Sequence, residues 1–202
     1  PLKIYFFTRT AEDTYTVSAM VEGNGTAIYR VDYVDLNGSG CKEVVVSWQM
    51  STGVYLLGAY SLEEAMVRSL QYAASAPAGS ASAQGLPDRE ALRATEWMTT
   101  VYDNYALYDL DQDTRTELAV VRVDKAGTNS AVDLYGWRDG SFMVRASAPL
   151  SMGISSVEKN GVETNFLKED GDVPVRALYI SSELADGHHV VDVVAYQDGN
   201  LK

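Results

Sequence analysis

Asp109, Asp111 and Asp113 alternate along the chain, and Glu117 stands at the ninth position counted from Asp109. In a tight loop, side chains one, three and five turn toward a common point, so this spacing gathers carboxylates. Glu117 can close the set from the first residues of the following segment. Clustered hard oxygens are what calcium takes, roughly six to eight of them. The backbone carbonyl of Arg115, at position seven, is a further candidate ligand. Thr114 occupies position six, where Gly would accept a positive φ without steric cost. The same residues also suit an acidic turn with no ion, held by Asx-type hydrogen bonds. Both readings stand.

A second, less charged version of the pattern lies upstream. Asp35, Asn37, Ser39 and Glu43 hold positions one, three, five and nine, with Gly40 at position six and the Cys41 carbonyl at position seven. Only two of these side chains carry charge, which implies lower affinity and suits the millimolar calcium found outside cells. A third version is degenerate. Asp170 and Asp172 fall where Asp111 and Asp113 would be, but Lys168 and Arg176 replace Asp109 and Glu117. That loop is expected not to bind; Arg176 is expected to pair internally with Asp170 or Asp172.

Loops of this kind need strands to hold them. Residues 33–46 align with residues 107–120 at a constant offset of 74, without a gap across the loop. Each copy has an apolar segment, an acidic loop and a continuous apolar run, Val44–Val46 in one and Leu118–Val121 in the other. Such runs read as strands buried on both faces. Further on, residues 132–142 and 191–201 match at an offset of 59, each with an Asp-Gly pair before a return strand. The common plan is a strand, a loop, a buried strand, a second strand and an Asp-Gly turn. It occurs three times, over about residues 1–61, 95–150 and 151–202. In the first copy Lys3–Phe7 is expected to pair with Tyr15–Met20, and Val54–Tyr60 to form the second strand.

An insertion at about residues 62–94 departs from the plan. Ser61 reads as a helix cap before Leu62–Tyr72, Ala73–Gly85 is rich in Ala, Ser and Gly, and Pro87 opens a second helical piece to about Thr99. The predicted fold is therefore mostly β: one repeat module over residues 1–202, with a small helical insertion.

The pattern Asp-x-(Asp/Asn)-x-(Asp/Ser)-x-x-x-Glu before an apolar strand resembles the FG-GAP and VCBS repeats. These occur in integrin-type β-propellers and in bacterial secreted and cell-surface proteins, lipoproteins included. The resemblance implies propeller-blade-like antiparallel repeats, calcium in the loops, an extracellular or surface-anchored location, and a structural or binding role. Three repeats fall short of the roughly four blades that close a propeller, so a partial or open array is expected.

Composition narrows the partners. The net charge of −12 argues against nucleic acid, whose phosphates require clustered Lys and Arg. No apolar run reaches membrane-spanning length. Nothing selects a catalytic constellation. His188 and His189 are adjacent, so on a strand they point to opposite faces. The single cysteine, Cys41, sits inside the first loop with no sequence sign of a partner base, and the many carboxylates single out no hydrolytic pair. The expected function is non-catalytic, as a structural or binding module for an unknown protein or glycan. The alternative is a lectin-like carbohydrate-binding domain using Trp48, Trp97 and Trp137 as stacking surfaces, although Trp48 and Trp137 also suit core packing. A glycoside hydrolase is the third class.

Overall fold

The computed structural model describes residues 1–63, 92–126, 128–167 and 174–202. They form fourteen strands arranged in four antiparallel sheets, and the chain divides into two compact units. The first unit comprises residues 1–34 and 41–100; the second comprises 35–40 and 101–202.

In the first unit, β1 (Leu2–Ala11) and β2 (Thr14–Gly23) make a hairpin in which Lys3 faces Glu22 and Phe6 faces Ala19. A four-stranded meander follows: β3 (Ala27–Val34), β4 (Glu43–Gln49), β5 (Tyr55–Ser61) and β6 (Thr95–Tyr102). The valine run of β4 is covered on both faces, and Glu43 through Trp48 are all buried. Phe6, Ala19 and Val21 of the hairpin join Val44, Val46 and Trp48 in one apolar cluster. The Trp48 indole N–H donates to the Tyr60 hydroxyl at 3.3 Å, which satisfies the polar edge of a buried ring.

The second unit holds two more meanders. The first consists of β7 (Asn104–Tyr108), β8 (Glu117–Arg122), β9 (Ala131–Arg138) and β10 (Ser141–Pro149). The other consists of β11 (Ile154–Leu167), β12 (Val175–Leu184), β13 (His189–Gln197) and β14 (Asn200–Leu201). One core serves both sheets: Val121, Val132 and Leu134 pack with Leu178, Ile180 and Val194. The repeated Asp-Gly pairs are two-residue hairpin turns. Asp139 and Gly140 have φ of 51° and 81°, and Asp198 and Gly199 have φ of 53° and 78°. Positive φ at both central residues matches the right-handed twist of the flanking strands.

The helix expected to run to about Thr99 is corrected over its last residues, because Arg93 bridges to Met20 in extended chain and Thr95–Thr99 lie in β6. β-branched and aromatic residues fill this segment (Thr95, Trp97, Thr99, Thr100, Val101 and Tyr102), and they prefer a pleated, half-buried surface. The remainder of the expected helical insertion, residues 64–91, lies outside the described residues. Among the described residues, no helix is long and apolar enough to cross a membrane.

Candidate metal centre

The loop between β7 and β8 is fixed from below and tied within itself. Leu110 is buried, and its N–H donates to Glu117 Oε2 at 2.8 Å. Asp109 Oδ2 accepts the Thr114 N–H at 3.2 Å, Asp111 Oδ1 the Asp113 N–H at 3.3 Å, and Asp113 Oδ1 the Arg115 N–H at 2.8 Å. The chain folds tightly enough to allow this because Gln112 and Thr114 take left-handed φ of 61° and 74°.

This geometry brings Asp109, Asp111 and Glu117 together, each offering a carboxylate oxygen within 4.8 Å of the other two. Asp113 stands outside the trio, bound to the Arg115 backbone and 3.9 Å from the Arg115 guanidinium. Glu117 opens β8 and is 1% exposed. Burial is the main cause that lifts its carboxyl to about 7, and Asp111 and Asp113 push the same way. The Leu110 N–H and the Arg145 guanidinium oppose the rise.

Arg145 is the member that sequence reasoning missed. Its Nη1 lies 3.0 Å from Asp111 Oδ2 and 3.3 Å from Glu117 Oε1. It comes from β10, two strands away from Glu117. Two features aim it. The pairing of β10 with β9 slips between Val144 and Ala146, so Arg145 sits at an irregularity that re-aims its side chain. On β9, Gly136 leaves room for it to cross; a Cβ there would stand 2.6 Å from Arg145 Cδ. No local spacing marks this residue, because only the strand order brings it to the loop.

The first loop has the same skeleton with different commitments. Asp35 Oδ2 accepts the Gly40 N–H at 2.8 Å, Oδ1 accepts the Gly38 N–H at 2.7 Å, and Asn37 Oδ1 accepts the Ser39 N–H at 2.8 Å. Leu36 is buried as Leu110 is, and the left-handed positions are Gly38 and Gly40, with φ of 74° and 81°. The Thr116 N–H donates to the Asp35 carbonyl at 3.2 Å, which ties the two loops together. Of the other candidates here, Cys41 is exposed and Glu43 is buried at the start of β4. Among the described residues, only the second loop gathers three metal-competent groups.

The second loop fits a hard divalent cation on two counts. Its donors are all oxygens, and three carboxylates against one guanidinium leave two negative charges when all are ionised. Asp109 Oδ1 is buried and accepts no hydrogen bond from the protein, a costly state that a cation would relieve. The trio supplies part of the roughly six to eight oxygens calcium takes.

The remaining candidates separate. Trp48 is buried, and Trp97 and Trp137 are half-buried. His188 Nδ1 lies 3.0 Å from Asp186 and His189 Nδ1 lies 3.0 Å from Glu158, so the two rings serve different carboxylates. In the third loop, residues 168–173 lie outside the described residues, and with them the pairing expected of Arg176. The Arg176 guanidinium lies 4.7 Å over the Phe166 ring. Compared with family models, with curated proteins and with solved structures, the chain matches none.

Proposed function

We propose that this chain is a non-catalytic structural and binding module of the cell exterior, in which a calcium ion at Asp109, Asp111 and Glu117 stiffens one loop between strands. The observation that carries the reading is the convergence of these three carboxylates around a buried Asp109 oxygen with no donor. Calcium would supply charge neutralisation there, and the chain would supply fixed oxygens and a second cation, Arg145. Four-stranded antiparallel meanders are the unit from which propeller blades are made. The three of them here support reading the fold as a partial or open propeller-like array of the FG-GAP or VCBS kind, secreted or anchored at a cell surface. A second reading, carbohydrate binding, is favoured by one observation: Trp137 lines an open polar cleft in the second unit.

Thermal unfolding tests the first reading. Chelator-treated protein is expected to melt higher when millimolar calcium is restored, and Asp111→Ala is expected to lose that rise. An unchanged melting temperature in the wild type would reduce the loop to an acidic turn.

A further inference from the structure

The hairpin turns at the ends of β9 and β13, together with the far end of the second acidic loop, border a cleft of about 580 Å³. That falls within the range of small-ligand sites, about 300–1,000 Å³. On a chain with net charge −12, three of the ten arginines converge on it: Arg115, Arg138 and Arg145. We propose that this cleft binds a carboxylate-bearing saccharide of the uronic-acid type.

The three arginines are not equivalent. Arg145 is held by Asp111 and Glu117, its side chain only 17% exposed, and forms a fixed wall. Arg115 and Arg138 lie 3.9 Å from Asp113 and 3.6 Å from Asp139, beyond hydrogen-bond length. Their side chains are 42% and 64% exposed, so a ligand can reach their guanidinium forks. Such a fork matches a carboxylate with two parallel hydrogen bonds. Trp137 lines the cleft, where an aromatic side chain can meet the C–H face of a sugar ring. Asp198 and Asn200 contribute a carboxylate and an amide, which suit hydroxyl groups.

The mixture of charges selects the ligand. A phosphate dianion would meet the repulsion of Asp113, Asp139 and Asp198, whereas a single carboxylate surrounded by hydroxyls pairs with both signs. A neutral sugar would leave the two exposed guanidinium groups with no ligand charge to pair, only the loose ion pairs to Asp113 and Asp139. The inference rests on the binding half of the proposed function and not on its calcium half, because none of the reachable groups belongs to the carboxylate trio.

The test is calorimetric titration of the full chain with galacturonate, which carries a single carboxylate, and with neutral galactose, each in millimolar calcium and again in chelator. Saturable binding of galacturonate is expected in both conditions, with weaker or no binding of galactose. Arg138→Gln removes an exposed guanidinium and is expected to weaken uronate binding about tenfold, as loss of a charge-assisted bidentate contact does. Trp137→Ala is expected to weaken both sugars, with circular dichroism confirming the fold; if that variant unfolds, Arg138→Gln decides alone. No uronate binding, equal binding of the neutral sugar, or an unchanged affinity in Arg138→Gln would overturn the proposal. A calcium-dependent melting shift without uronate binding would sink this inference alone, and the reverse would sink the calcium reading alone.

Discussion

The loop at Asp35 and the loop at Asp109 follow one backbone path, with the same left-handed positions, a buried leucine at the second residue and matching Asx hydrogen bonds. They differ in how they use their oxygens. Asp35 spends both carboxylate oxygens on the backbone N–H groups of Gly38 and Gly40, and glycine carries the left-handed residues without strain. Asp109 spends one oxygen on Thr114 and leaves the other buried and unpaired. Its left-handed residues are Gln112 and a β-branched Thr114, which cost about 1–3 kcal/mol each in such a conformation. The first loop is satisfied by its own backbone. The second keeps charge and strain in place, a pattern found where a ligand supplies the missing partner.

This contrast can be broken most strongly at Glu117. Glu117→Ala removes a buried partner of Arg145 and is expected to cost about 3 kcal/mol in urea unfolding, in the range for breaking a buried ion pair. A loss below about 1 kcal/mol, typical of exposed pairs, would mean that the Arg145 contact contributes little.

The pH dependence of the metal-free protein is expected to be smaller. Burial raises the Glu117 carboxyl from 4.5 to about 7 in the folded state. A raised carboxyl contributes stability that is fully present below the unfolded value and is lost as pH rises through the folded value. Measured in chelator, the wild type should therefore lose stability relative to Glu117→Gln between about pH 4.5 and 7. Calcium should reverse that slope by favouring the ionised carboxylate. A constant difference between the two proteins across this range would show that Glu117 does not titrate there.

The smallest effects should come from exchanging the left-handed residues. Thr114→Gly is expected to stabilise the chelated protein by about 1 kcal/mol, and Gly40→Thr to destabilise it by a similar amount. Equal and negligible changes at both positions in denaturant melts would remove backbone strain as a distinction between the loops.

Much of this arrangement was legible locally. The alternating acids of the second loop, the apolar runs that became β4 and β8, and the two Asp-Gly hairpins each carry their signal within a few residues. The rest depended on tertiary placement. Arg145 reaches Glu117 only because β9 lies between their strands, Gly136 leaves a gap and the pairing slips beside it, and no spacing along the chain encodes those three facts. The departure of Asp113 from the carboxylate cluster was hidden for a similar reason: its position in the alternation is right, but the Arg115 N–H captures it. At Thr95–Thr99 the residues' own preference for strand prevails over the helix-start signal upstream.

Equilibrium dialysis of wild type, Asp109→Asn and Asp35→Asn with radiolabelled calcium counts the ions that each loop holds. One saturable ion is expected per wild-type chain, retained in Asp35→Asn and lost in Asp109→Asn. No bound ion in the wild type, or a bound ion lost in Asp35→Asn and kept in Asp109→Asn, would contradict it.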